Sequence, residues 1–331
     1  TGNFWVYDVN PKIANIDYLI LLLSSNVFVQ VWQDCSNGSG NRLYLQEDKF
    51  LSYKLPMPAI DVQNELIHKY NNKIAETKKD QNLIDDLQGQ IKQYILKELG
   101  ITFKKSSFNS LIGTTDYKNL TRWDPRYLSS KILVYSNEKM VDMATVIAHF
   151  MVDTSGENLR INTKEEPEKK FTYIGMEHVE KNTGKVLLQQ ISGKDVLSQT
   201  IRVPSNYIIY GKLRPYLNKY WENISSTKNV VCSSEFFVFD IKNINRMYFM
   251  EILSSVIIQE QLSPLYSGAR MPRINENDFL GLRIPLPSAQ RQQEIVDFIS
   301  EIRKKMSALQ LKIPLCAQQA QKEFEEAIFG E

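Results

Sequence analysis

Two stretches of this sequence combine cations, aromatic rings and tight turns in a way that suits a charged, stacked ligand. Between Arg202 and Lys228 stand Arg202, Lys212, Arg214, Lys219 and Lys228 against Glu222 alone, with Tyr207, Tyr210, Tyr216, Tyr220 and Trp221 interleaved. Nucleobases offer a π face and phosphates a charge, so a basic, aromatic-rich loop can contact DNA. The plainer reading is that the rings face a core while the lysines are merely solvated. Lys212 and Lys219 are the candidates for phosphate, and Arg214 has a structural alternative, packing against Tyr216. The second stretch is Ser267-Gly-Ala-Arg-Met-Pro-Arg273. Ser267 and Gly268 form its small turn, the glycine allowing close backbone approach, and Arg270 and Arg273 can reach phosphate or guanine edges. Its alternative is an ordinary turn before a strand. Tyr173 and Lys181 flank a third candidate loop, with a core-strand role for Tyr173 equally open.

Catalytic chemistry finds little support. His68, His149 and His178 are scattered and lack metal-ligand spacing. Neither Asn182-Thr-Gly-Lys185 nor Ser192-Gly-Lys194 has the upstream glycine of a phosphate-binding loop. The Glu166-Pro-Glu-Lys169 run is faintly like a nuclease motif but reads as part of a solvated charged loop. No catalytic residue and no metal site is expected.

Composition narrows the class. The chain has 331 residues, enough for two or three domains, and its 43% hydrophobic and 24% charged residues are those of a folded protein. Its formal charge is only +2, so any DNA-binding surface must come from local segregation of charge. No apolar run is long enough to span a bilayer, and Tyr18 to Leu23 lacks the flanks of a signal peptide. Cys35, Cys232 and Cys316 stand far apart and suggest neither a disulfide framework nor a zinc site, which points to the cytoplasm and no membrane partner.

The elements that must position these loops emerge from an internal repeat with a period of about 230 residues. Phe4-Trp-Val-Tyr-Asp8 resembles Phe236-Phe-Val-Phe-Asp240, and Ser24-Ser25 resembles Ser254-Ser255. The loop ending in Arg42 matches the one ending in Arg270, so Arg42 inherits the expectation of DNA contact. Glu47, Phe50 and Leu51 match Glu276, Phe279 and Leu280. Leu55-Pro-Met-Pro58 matches Ile284-Pro-Leu-Pro287, and Gln63 and Glu65 match Gln292 and Glu294.

Each copy runs into a long heptad-like helix. In the first, Ile67, Tyr70, Ile74, Thr77, Gln81, Ile84, Gln88, Ile91 and Ile95 form the seam; in the second, Ile295, Ile299, Ile302, Met306, Leu309, Ile313, Cys316 and Ala320 do. The X-Pro-X-Pro turn blocks helix immediately upstream of each. About 40 residues would make a rod roughly 60 Å long. Thr77, Gln81 and Gln88 leave two readings open, a weak seam or polar groups that fix register and partner. Lysines and acids nearly balance on the first helix, which reads as a spacer rather than a DNA surface. Pro314 should kink or break the second.

Between the helices, β-rich runs predict strands at 171–176, 186–191, 208–210, 230–232 and 236–239, with helices at Val141–Met151 and Arg246–Leu262. The expected architecture is α+β: mixed, β-rich globular domains with helices, linked by long antiparallel coiled-coil-like helices. The expected divisions are 1–58, half of a first globular domain; 59–100, a central spacer helix; 101–287, a complete second domain; and 288–331, a distal helix.

At this point the sequence resembles the specificity subunits of type I restriction–modification systems. The likeness rests on Arg122-Trp-Asp-Pro-Arg-Tyr127, Tyr173-Ile-Gly-Met-Glu-His-Val179 and Tyr210-Gly-Lys-Leu-Arg-Pro-Tyr-Leu-Asn-Lys219. It continues through Ser233-Ser-Glu-Phe-Phe237, Ser267-Gly-Ala-Arg270 and Ile284-Pro-Leu-Pro287 with its following helix. The resemblance implies two target-recognition domains, each reading half of a split site in double-stranded DNA, held apart by the helices. It implies a subunit without a catalytic centre that docks adenine-methyltransferase subunits and, through them, restriction subunits. S-adenosylmethionine, Mg2+ and ATP would then belong to those partners, and this chain carries neither the Asn-Pro-Pro-aromatic motif nor the glycine-rich loop of an adenine methyltransferase. Residues 1–58 match only the second half of a recognition domain, so the first domain is expected to lack its N-terminal part. The exposed seams also allow self-pairing. Alternatives are a recognition module of a related restriction or phage-defence methyltransferase, a coiled-coil scaffold that binds only protein, and, last, a stand-alone nuclease.

Overall fold

The computed structural model describes residues 5–39, 42–105, 132–197, 199–224, 229–265 and 270–330. The chain divides into two compact units, residues 1–89 with 301–331, and residues 90–300. Arg122–Tyr127 lies outside the described residues, as do Ser267 and Gly268.

In the first unit, Asn15 starts a helix at Ile16–Leu23 because its side chain accepts the orphan N–H groups of Asp17 and Tyr18. A second helix follows at Asn26–Asp34, then a hairpin of Ser36–Ser39 with Arg42–Leu45 and a short helix at Glu47–Ser52. Tyr18, Leu22 and Phe28 form the core with Ile67 of the long helix Ile60–Glu98 and Phe324 of the long helix Ala289–Phe329. These two helices run antiparallel here, since Lys73 pairs with Glu323 and Asp80 with Lys312.

The seam differs from its sequence reading in one respect. Ile67 and Ile84 are buried and Tyr70, Ile74 and Thr77 half-buried, but Gln81 and Gln88 are exposed. A three-residue step after Thr77 turns Asp80 and then Leu87 inward instead, which buries an apolar side chain and gives the carboxylate a lysine. The register-fixing reading therefore does not hold for the two glutamines. Thr77 satisfies its hydroxyl locally, on the Ile74 carbonyl. On the partner helix Ile302 and Met306 are buried and Leu309 half-buried, and the helix is not broken at Pro314 but carries through it. No single described helix is long and apolar enough to cross a membrane.

The second unit is built on two sheets. One has five strands in the order Arg160–Ile161, Thr200–Arg202, Val230–Ser233, Lys170–Ile174, Gln189–Ser192, with only the Val230–Ser233/Lys170–Ile174 pair parallel. The other is antiparallel, in the order Tyr220–Glu222, Ile208–Gly211, Phe236–Ile241, Ile147–Phe150. Ile174, Ile201, Ile209, Val230, Cys232, Phe236 and Val238 close one core. Phe279 fills a second, its ring 4.8–6.4 Å from those of Phe150, Tyr210, Phe237 and Phe239. Ile91, Ile95, Ile295 and Ile299 are buried, and Tyr94 stacks on Phe298 at 3.8 Å.

Two helix expectations are corrected. Val141–Met151 is not one helix: Met140–Asp142 pairs with Arg283–Pro285, one turn spans Met143–Val146, and Ile147–Phe150 joins the antiparallel sheet. Sheet pairing at both ends overrides local propensity. Arg246–Leu262 is two helices, Arg246–Ser254 and Val256–Leu262, because Ser255 stops the first and its hydroxyl caps the second.

The internal repeat survives down to individual hydrogen bonds. Gln63, fully buried near the start of the first long helix, accepts from the Asn15 N–H at 2.8 Å and donates to the Pro58 carbonyl at 2.8 Å. Gln292, 4% exposed, does the same to Asn245 at 2.7 Å and Pro287 at 2.9 Å. Tyr18 donates to the Pro56 carbonyl at 2.8 Å, and Tyr248 to that of Pro285 at 2.9 Å. Asn15 and Asn245 both cap a helix and both donate to the residue after the glutamine, Asn64 or Gln293. Replacing Gln292 by leucine strands a buried N–H and a carbonyl and should cost about 2–4 kcal/mol in urea unfolding. A loss within error of zero would show that this contact does not secure the helix.

Candidate nucleic-acid interface

The segment 212–219 leaves the buried strand Ile208–Gly211 and returns through Tyr220–Glu222. Its backbone is pinned at several points. The Lys212 N–H donates to the Glu235 carbonyl at 2.8 Å, Leu213 bridges Arg273, and the Arg214 N–H donates to the Pro272 carbonyl at 2.7 Å. Pro215–Leu217 makes a single 3-10 turn flanked by left-handed residues, Arg214 at φ 50° and Asn218 at φ 47°. Asn218 tolerates this conformation well. Arg214 does not, and a side chain held there costs on the order of 1–2 kcal/mol, so the surrounding bonds must impose it. Asn218 also donates to the Ser254 carbonyl at 2.9 Å, fixing the turn against the helix Arg246–Ser254.

Those bonds draw three candidate loops together. The Leu213–Arg273 bridge sets 270–273 beside 212–219, and the Asn182 N–H, donating to the Asn218 carbonyl at 3.2 Å, sets the Lys181 turn against the other end of 212–219. Lys181, Arg214, Arg270 and Arg273 are exposed across this joined surface, with Tyr216 at 49% and Met271 at 51% exposure.

Lys212 and Lys219, assigned to phosphate from the sequence, are held by the domain itself. The Lys212 ammonium donates to the Ser234 carbonyl at 2.7 Å and lies 5.0 Å from the Phe237 ring centroid. Burial pushes its pKa down, with Arg160 adding to the effect. The Lys219 ammonium donates to the Met176 carbonyl, and burial lowers it too. Tyr173 is a half-buried strand residue between Val231 and Gln189, its ring edge-on to His178 at 5.8 Å, as the core-strand alternative has it. The side chains of Arg42 and Lys228 fall outside what is described, with Ser267 and Gly268.

Sequence reasoning missed two charged contacts that support this surface. Arg273 donates through Nε and Nη2 to the two carboxylate oxygens of Glu235, at 3.0 and 2.8 Å. Arg246 binds Glu222 at 2.9 Å, Asp240 at 2.6 Å and the Asn206 carbonyl at 2.7 Å, joining two strands and a helix. The lone acid Glu222 within the basic stretch 202–228 was the available signal for the Arg246 contact.

All three loops lie inside residues 153–315, which match the family described as Type I restriction modification DNA specificity domain. These residues are the part of the chain that resembles a type I DNA specificity domain. The chain is 21% identical over 316 residues to the type I restriction enzyme EcoDI specificity subunit of Escherichia coli, covering 91% of this chain and 67% of that protein. Among solved structures, it is similar to the type I restriction–modification S subunit of M. genitalium, with 13% identity, TM-score 0.44, and coverage of 96% of this chain and 74% of that one. It is also similar to a chain of a type I R-M system with 19% identity and TM-score 0.45, covering 57% of this chain. It spans 47% of that second chain, about half its length. The family expected from the ordered motifs is the family matched.

Within residues 153–315, the Arg273 hydrogen bonds hold the Glu235 carboxyl below the usual carboxylate range. A folded value below the unfolded one means the ionised pair stabilises the domain above the ordinary carboxylate range. That contribution disappears as pH falls through the lowered folded value. Urea titrations from about pH 6 to about pH 3 should therefore show a shallower acid loss for Glu235→Gln than for the native chain. Superimposable acid profiles would show that the pair is not coupled to folding.

Proposed function

We propose that this chain is the non-catalytic DNA-reading subunit of a type I restriction–modification complex. The observation that carries this reading is the match of residues 153–315 to a DNA specificity domain. The joined loops around Lys181, Arg214, Tyr216, Arg270 and Arg273 are the surface that meets DNA. Arg214, Arg270 and Lys181 act on phosphates, which set register and carry no sequence information, while base edges supply specificity. Lys212 and Lys219 hold the loops in shape and touch DNA less. The long helices carry docking surfaces for adenine-methyltransferase subunits and, through these, restriction subunits. S-adenosylmethionine, Mg2+ and ATP are handled by those partners. Pairing of two copies through the helices is a further arrangement that the seams allow.

Binding of the full chain to a random-sequence duplex, followed by fluorescence anisotropy against salt, tests the interface. Affinity should fall with salt, and Arg214→Ala, Arg270→Ala and Lys181→Ala should each reduce the log–log slope by about 0.9. Lys212→Ala and Lys219→Ala should lower the melting temperature and leave the slope close to native. Binding that is absent, or indifferent to salt, would instead mark a protein-binding scaffold.

A further inference from the structure

The pair formed by Glu235 and Arg273 is rigid at both ends. Glu235 lies in the turn between Val230–Ser233 and Phe236–Ile241. That turn is fixed by the Ser234 N–H donating to the Gln199 carbonyl, the Glu235 N–H donating to the Ser233 hydroxyl, and Lys212 binding two of its carbonyls. Arg273 is held through its own backbone bridge to Leu213 and by the Ile274 N–H donating to the Lys212 carbonyl. Two fixed backbones and a two-point contact leave the guanidinium plane little freedom. The pair is open to solvent, with the arginine side chain 47% and the glutamate side chain 30% exposed.

Which chemistry remains follows from the atoms already used. Nε and one N–H of Nη2 are taken by the carboxylate. The end-on edge, formed by Nη1 and the second N–H of Nη2, is still a planar pair of donors, with Nη1 making only a 3.5 Å approach to the Met271 carbonyl. Such an edge matches the O6 and N7 acceptors of guanine. The charge argument separates this use from phosphate binding. A guanidinium neutralised by its own carboxylate displaces few counterions, so it gains little from a phosphate. Its oriented donors keep their value against a base.

We infer that Arg273 reads a base edge, a guanine by its acceptor pattern, and that Glu235 is the residue that positions it. This deepens the proposed DNA-reading function and rests on it. In that role Arg273 governs which sequence is bound, whereas Arg214, Arg270 and Lys181 govern how tightly any duplex is held.

The test is selection of bound sequences from a random 40-base-pair duplex pool by the full chain, by Arg273→Lys, by Glu235→Gln, and by the double variant Arg273→Gln with Glu235→Gln. The salt slope of each is measured on the unselected pool. The native chain should enrich a motif. Arg273→Lys keeps the charge but loses the fork, and should lose preference at one base pair by roughly ten- to hundred-fold while the other positions stay. Glu235→Gln should blur the same position and steepen the salt slope, because the arginine charge is released. The double variant, which removes both charges of the pair, should erase that position with little change in slope. Should Arg273→Lys enrich the native motif at every position, or the double variant lower the slope by about one unit, Arg273 is a phosphate contact and the inference fails. Failure of the native chain to enrich anything would remove the DNA-reading function itself.

Discussion

A buried glutamine near the start of each long helix is the contact on which the rest of the molecule depends. A carboxamide has one acceptor and one donor end, and here each end is used on a different backbone segment. Gln292 takes the N–H that opens the helix Arg246–Ser254 and gives its own to the carbonyl of Pro287. Gln63 does the same for Asn15 and Pro58. Proline makes this economical, because it stops helix formation just upstream and leaves a carbonyl without a helical partner. The tyrosine three residues after the asparagine then binds a second proline carbonyl from the same run. Helix, cap and proline turn are thereby locked at one point, and the repeat of the sequence is a repeat of this lock.

The interface is positioned from that lock outward. Tyr248 and Gln292 hold the helix Arg246–Ser254, and this helix offers the Ser254 carbonyl that fixes Asn218. Asn218 closes the turn in which Arg214 is held left-handed, and the same backbone reaches Asn182 on one side and Pro272 on the other. Lys212 and Lys219 of the segment, with Arg246 from the neighbouring helix, are consumed in making this frame. Lys212 caps a carbonyl over an aromatic ring, and Arg246 ties two acidic strand residues together. What is left exposed is a smaller set of charges on a braced support, the arrangement that recognition of a fixed ligand geometry requires.

Much of this was legible in the sequence, and the reasons are physical. Continuous runs of β-branched and aromatic residues mark strands buried on both faces, and heptad spacing marks a packed helix, so the strands around Ile208 and Phe236 and both long helices could be read directly. The paired prolines and glutamines marked the repeat because the lock needs those residue types at that spacing. The Asn15/Tyr18 and Asn245/Tyr248 halves of it shared the same three-residue step and were overlooked. Val141–Met151 failed because its apolar residues serve two different strand pairings on either side of one helical turn. Gln81 and Gln88 failed because a straight helix and a heptad drift apart, and the inward step falls on Asp80 and Leu87 instead. Lysines in a basic run look alike in sequence. Only the fold shows that Lys212 and Lys219 point to carbonyls while Arg214 and Arg270 remain exposed.

If this chain chooses the DNA sequence on which a partner enzyme acts, its loops must set the modified motif. The most direct measurement maps modified adenines across genomic DNA in cells expressing the chain with an adenine methyltransferase of a type I system, natively and with residues 212–219 and 270–273 exchanged for glycine–serine segments of equal length. The native chain should give modification at a defined motif, and the exchanged loops should lose that motif while the methyltransferase still co-purifies. Modification at the same motif with and without those loops would contradict it.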